Sequence, residues 1–121
     1  MISINIILNQ YKNFEISLQK LKYVFGEDLY NISDILPQTV NSNDIIYAIQ
    51  QYLTNSVSLI DLLNWVNTIW FTDLYEYNTK EENTIASVMS LLETLDEGVE
   101  FSNAEYLMMI DCLQKNIECV L

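Results

Sequence analysis

The sequence predicts an all-α fold, a single compact bundle of about six helices spanning residues 1–121 with short connections. Three observations predict it. Only two Gly and one Pro occur in 121 residues, so long stretches run without a strong breaker. Half the residues are apolar, and in most of the chain they recur at spacings of three and four. Helix-start signatures, a Ser or Thr with an acid three residues on, recur along the second half. A chain of this length buries roughly two thirds of its unfolded surface, so one core suffices without a metal or disulfide staple.

Taken along the chain, the N-terminal part allows two descriptions. Ile4, Ile7, Tyr11, Phe14, Leu18, Leu21 and Phe25 read as one amphipathic helix with a heptad seam. A competing signal breaks it. Gln10-Tyr11 followed by Ile16-Ser17-Leu18-x-x-Leu21 repeats as Gln51-Tyr52 followed by Val57-Ser58-Leu59-x-x-Leu62, at a constant offset of 41. Ser17 then caps a second helix, with Ile16 and Leu21 as its apolar staple, and the chain turns near Asn13–Ile16. The shared offset favours the break, although Lys20 stands where a capping box wants an acid. One repeat is too few for a solenoid, which needs about three.

Between Gly26 and Asn43, Ile32, Ile35 and Leu36 predict a short helix ending before Pro37. A helix follows Ser42, with Ile45, Ala48, Ile49 and Tyr52 inward. The clearest start is Val57-Ser58-Leu59-Ile60-Asp61-Leu62, where Ser58 caps and Val57 and Leu62 staple. Its inward face is Leu59, Leu62, Leu63, Val66, Ile69 and Trp70, with Asp61, Asn64 and Thr68 opposite, and it runs to about Thr72. After the connection Asp73–Asn78, Thr79-Lys80-Glu81-Glu82 opens a helix with Ile85, Val88, Met89, Leu92 and Leu95 inward. Gly98 stops it. Phe101-Ser102-Asn103-Ala104-Glu105-Tyr106 opens the last helix with both box and staple. Tyr106, Met109, Ile110, Leu113 and Ile117 face inward there.

Cys112 and Cys119, seven apart in that helical pattern, fall roughly 10 Å apart along the axis, beyond the Cα separation of about 7 Å that a disulfide tolerates. They are expected to be buried free thiols of a reducing compartment. No run of about 18 apolar residues spans a membrane. The Ile2–Leu8 stretch is short, lacks a basic start and contains Asn5, unlike a signal peptide. The expected location is the cytoplasm.

Charge separates this chain from most function classes. Seventeen Asp and Glu face five Lys, with no Arg and no His. From Tyr23 onward sixteen carboxylates face only Lys80 and Lys115, a net charge of −14. Such a surface repels nucleic acid and anionic membrane and attracts basic proteins. Without His there is no Ser-His or Cys-His dyad and no imidazole metal ligand. Without Arg, and with few Lys, there is no clamp for a phosphoryl group. An EF-hand loop starting at Asp73 fails because Asn78 and Thr84 stand where Gly and Glu are required. The expectation is a protein that is not an enzyme and carries no cofactor or metal.

Two clusters are candidates for a partner. The first runs from Trp65 through Trp70-Phe71-Thr72-Asp73-Leu74-Tyr75-Glu76-Tyr77 to Glu81 and Glu82. Trp and Tyr dominate interface energies, and carboxylates beside them can meet Lys and Arg. Its candidates are Trp65, Asp73, Tyr75, Glu76, Tyr77, Glu81 and Glu82, while Trp70 belongs to the inward face. The alternative is a solvated rim in which Glu81 and Glu82 only favour a helix start. The second cluster is Asp96, Glu97 and Glu100. Carboxylates at a helix C-terminus oppose the dipole, so these cost stability where they stand. Outward Tyr47, Leu107 and Met108 add apolar area.

At Ile16-Ser17-Leu18, at Val57-Ser58-Leu59-x-Asp61-Leu62-x-Asn64-Trp65 and at Leu91–Glu97, the chain resembles small acidic helical immunity proteins of bacterial toxin–immunity systems, including those of contact-dependent growth inhibition. The likeness covers about residues 45 to 110 and carries no catalytic residue. It implies a cytoplasmic protein that neutralises a cognate toxin domain, in many such systems a nuclease with a basic cleft. Two alternatives come from other classes: a nucleic-acid mimic that blocks a DNA-binding protein, and a helical adaptor whose acidity serves solubility alone.

Overall fold

The computed structural model describes residues 3–121. Met1 and Ile2, where the Ile2–Leu8 stretch begins, lie outside the described residues. Among the described residues, six α-helices form three consecutive pairs, with one strand of a small sheet ahead of the second pair and the other after it. Helix α1 (Ile4–Lys12) is followed by α2 (Leu18–Phe25), α3 (Ser42–Leu53) by α4 (Leu59–Phe71), and α5 (Glu82–Glu93) by α6 (Asn103–Lys115).

The break within residues 4–25 is real, and its chemistry repeats. Phe14 (φ 61°) and Asn55 (φ 62°) both sit in the left-handed region, 41 residues apart. In the first turn Phe14 N donates to Tyr11 O and Glu15 N to Gln10 O; in the second Asn55 N donates to Tyr52 O and Ser56 N to Gln51 O. Each turn delivers a serine that caps the next helix. Lys20 N donates to Ser17 Oγ at 3.1 Å, and Asp61 N to Ser58 Oγ at 3.2 Å. Leu21 and Leu62, the staple positions, are fully buried.

The third pair reaches the same end by another route. Helix α5 tightens into a 3-10 turn (Thr94–Glu97), and Gly98 (φ 89°) reverses the chain at a conformation other residues resist. Ser102 then caps α6, with Glu105 N donating to its Oγ and Ser102 N to the Glu105 carboxylate. The staple is visible as Phe101 and Tyr106, ring centroids 5.7 Å apart.

The sheet corrects the purely helical expectation. Strand β1 (Gln38–Val40) pairs in parallel with β2 (Tyr75–Tyr77), Gln38 opposite Tyr75 and Val40 opposite Tyr77. Pro37 holds the chain extended ahead of β1, and Thr39, Val40, Tyr75 and Tyr77 are residue types that suit strands. The pair α3–α4 forms the crossover that a parallel pairing requires. The short helix expected at Ile32–Leu36 is absent. A 3-10 turn at Leu29–Asn31 precedes it instead, led by Asp28, whose carboxylate accepts from Tyr30 N. Helix α5 starts at Glu82, two residues later than the Thr79 signature implies. Asn78 governs this stretch: its carbonyl accepts from Glu81 N and its side chain from Lys80 N, so residues 78–81 form a turn.

The buried face of α4 is rotated from the predicted one. Leu62, Trp65, Val66, Thr68 and Ile69 are buried, while Trp70 is half-buried and Leu59 exposed. The rotation follows from α4 lying against the first pair as well as against α5. Tyr11 Oη and Thr68 Oγ1 are 3.3 Å apart, and Trp65 Nε1 donates to Lys12 O at 3.0 Å. Thr68 is satisfied there, donating to Asn64 O at 2.7 Å. The predicted inward residues of α5 and α6 are buried, except Ile117. Helix α6 ends at Lys115, Asn116 turns left-handed (φ 53°), and Ile117 emerges 50% exposed. Cys112 and Cys119 are free and buried as expected. The 10 Å helical separation does not apply to them, because the chain reverses at Asn116. Burial first, then the hydrogen-bonding Cys112 thiol, push the Cys119 thiol up to about 12.

Candidate partner-binding surface

The first predicted cluster divides by strand alternation. In β2, Tyr75 and Tyr77 point inward and Glu76 outward, as a period of two requires. Tyr75 is 5% exposed, and its hydroxyl donates to Leu8 O at 2.6 Å. Desolvation drives its ionisation far above the ordinary tyrosine range. Tyr77 is half-buried edge-on against Trp70, centroids 6.4 Å apart, and burial shifts it the same way. Trp65 has no exposed surface. Trp65 and Tyr75 are therefore corrected from partner anchors to core. Each spends its polar atom on a carbonyl of α1, Trp65 fastening α4 to it and Tyr75 fastening β2.

The carboxylates of that cluster also differ among themselves. Asp73, Glu76 and Glu82 are exposed. Glu81 is half-buried and accepts a hydrogen bond from Ser42 N at 3.2 Å, so it closes the start of α3 from across the chain. The same corner holds Lys12, nearly buried between Asp44 Oδ2 and Thr39 O, both at 3.4 Å. Glu76 shares a cleft of about 310 Å³ with Thr39, Tyr77, Asn78 and Thr79.

The second cluster is presented intact. Asp96 and Glu97 occupy the 3-10 turn, Glu100 follows, and all three are exposed together with Val99. Leu107 and Met108, early in α6, are 58% and 48% exposed. The structure does not bring the two clusters together. Asp73 lies in the turn after α4, Glu76 in β2 and Glu82 at the start of α5, whereas Asp96, Glu97 and Glu100 lie beyond the end of α5, a helix of 12 residues about 18 Å long.

None of the seventeen Asp and Glu is buried. Among the described residues, two salt bridges form, Lys12 with Asp44 and Lys115 with Asp111. No group of three or more Cys, Asp and Glu among them is arranged to hold a metal ion. The shifted groups are Tyr11, Tyr75, Tyr77, Tyr106 and Cys119, each held in its neutral form chiefly by burial. What this surface offers a partner is carboxylate charge beside exposed apolar side chains. Sequence reasoning passed over a concavity on the turn side of the first two pairs, a cleft of about 280 Å³ that includes Phe14, Glu15, Val57 and Asp61. The 41-residue offset was its available signal, because the two matching turns wall it.

Comparison with family models, with curated proteins and with solved structures returned no match.

Proposed function

We propose that this chain is an immunity protein that binds a basic toxin domain stoichiometrically, a nuclease in the leading version, and neutralises it through its acidic surface. The observation that carries the proposal is the set of exposed carboxylates at Asp96, Glu97 and Glu100, which form no salt bridge among the described residues. They stand at a helix end whose dipole disfavours them, beside exposed Val99, with Leu107 and Met108 close behind in sequence. Locally unfavourable charge with apolar area next to it suits a surface shaped by a cationic partner. Asp73, Glu76 and Glu82, also exposed, add negative charge that would steer approach. A nucleic-acid mimic would need its charges in a row at phosphate spacing, and the length of α5 between the two groups favours the single-partner version.

The test is capture of a partner from the native host followed by co-expression. The expected outcome is a cationic protein whose toxicity the chain abolishes. Replacing Asp96, Glu97 and Glu100 by their amides should slow association by roughly tenfold at low salt, since charges at an interface rim act mainly on the on-rate. Affinity unchanged between about 50 mM and 500 mM salt would overturn the electrostatic interface, because such contacts are screened over that range.

A further inference from the structure

We infer that the cleft between the first two turns receives an arginine side chain of the basic partner. The inference rests on the proposal above and adds a second, separate contact to it. Phe14, Ile16, Leu18 and Val57 supply apolar walls, and Glu15 and Asp61 supply two carboxylates. Both acids are exposed, and neither forms a salt bridge among the described residues. At about 280 Å³ the cleft falls just below the range of roughly 300–1,000 Å³ that holds a drug-sized ligand. One long side chain fits it better than a cofactor does.

The composition of the walls selects the occupant. An arginine buries an aliphatic stem and keeps a charged head in reach of solvent. Its planar guanidinium pairs with carboxylates and lies well on an aromatic face. Phe14 offers such a face and is held in place, its ring stacked on the buried Trp65 with centroids 5.7 Å apart. An anionic occupant is disfavoured. No lysine lines this cleft, and the starts of α2 and α4 are already capped by Ser17 and Ser58. Lys22 and Glu27 line the neighbouring cleft of about 430 Å³, which shares Leu18 and Asp61. The guanidinium therefore sits on the Glu15 side, away from Lys22.

The test uses the whole chain and two peptides, acetyl-Gly-Arg-Gly-amide and its norleucine counterpart, titrated at low salt while backbone amide shifts are recorded. The arginine peptide should move residues 14–18 and 56–61, and the norleucine peptide should leave them in place. Glu15→Gln with Asp61→Asn should weaken the arginine peptide by about five- to tenfold, as two exposed ion pairs warrant. Glu15→Gln alone, at a turn residue whose side chain makes no hydrogen bond among the described residues, should show part of that loss without disturbing the fold. Equal responses to both peptides would overturn the inference. So would arginine-dependent shifts confined to Asp73–Glu76 or Asp96–Glu100, although the basic-partner proposal would survive that result. No arginine-dependent shift anywhere would sink both.

Discussion

The first and second helix pairs share one local design and differ in what surrounds it. Both turn through a left-handed residue with matching backbone hydrogen bonds, both cap the next helix with a serine, and both bury the leucine four positions after the cap. Helices α1 and α2 are nonetheless 9 and 8 residues long, and Leu21 is the one buried residue of α2. Helices α3 and α4 run 12 and 13 residues, and α4 buries five, with Trp65 at their centre. Turn and cap follow from a few adjacent residues and can be copied along a chain. Burial depends on neighbours, and only the second pair has others on both sides.

The largest effect should therefore come from Trp65. Truncation to alanine empties a large volume and leaves the Lys12 carbonyl without its donor. Loss of about 3–5 kcal/mol is expected in urea unfolding. Leu21→Ala, at the matching position of Leu62 in the thinner pair, should cost nearer the lower end of the range of about 2–5 kcal/mol for such truncations, because the edge of the molecule can collapse around it. Hydrogen exchange should show α2 opening before α4. If Leu21→Ala cost as much as Leu62→Ala, with α2 as protected as α4, the claimed difference between the pairs would be wrong.

The pairs meet at buried hydroxyls, and that junction predicts an alkaline limit. Desolvation pushes Tyr11 up to about 12 from a usual value of 10. The folded state holds that proton at a pH where the unfolded chain has released it, so Tyr11 contributes fully below about pH 10. Its contribution fades as pH rises toward 12. The loss is on the order of 2–3 kcal/mol for a shift of this size. Tyr106, also raised to about 12 chiefly by burial, adds to the same window. Tyr11→Phe should make the decline between pH 10 and about 12 shallower, with Tyr75, Tyr77, Tyr106 and Cys119 still contributing to it, while lowering stability near neutrality by about 1 kcal/mol, the worth of its hydrogen bond to Thr68. A decline of unchanged steepness in that variant would place the alkaline sensitivity elsewhere.

Much of the fold was legible because its signals are local. Ser17, Ser58 and Ser102 all cap helices, Gly98 ends the α5 segment, and the buried residues of α5 and α6 follow the sequence period closely. The errors sit where distant parts of the chain decide. Trp65 is buried more deeply than Trp70 because α1 lies against α4 and turns its buried face. The sheet was missed because three-residue strands carry almost no periodicity, although Tyr75-Glu76-Tyr77 alternates in the right sense. Glu81 reads as a helix-start acid from its own neighbourhood, yet serves the start of α3, 39 residues away. On the candidate surface, exposure of Asp73, Glu76, Glu82, Asp96, Glu97 and Glu100 was readable from charge alone, whereas the separation of the two groups needed the position of α5.

The smallest effect is the most direct probe of whether the two turns are equivalent. Ser17→Ala and Ser58→Ala each remove one capping hydroxyl from an exposed helix start, at hydrogen-bond lengths of 3.1 and 3.2 Å. Each should cost about 1 kcal/mol, within the usual span of roughly 0.5–2. If cap chemistry is local, the two losses should agree within a few tenths of a kcal/mol despite the unequal burial beyond them, and the double variant should show their sum. Thermal denaturation at neutral pH measures all three. One asymmetry can enter: Asp61 lies in the first turn of α4, whereas the first turn of α2 holds no acid. Asp61 interacts favourably with the helix dipole and Lys20 unfavourably, so loss of Ser17 exposes the less protected start. A Ser17 loss larger by more than about 1 kcal/mol would mean that the turns resemble each other in geometry but not in energy.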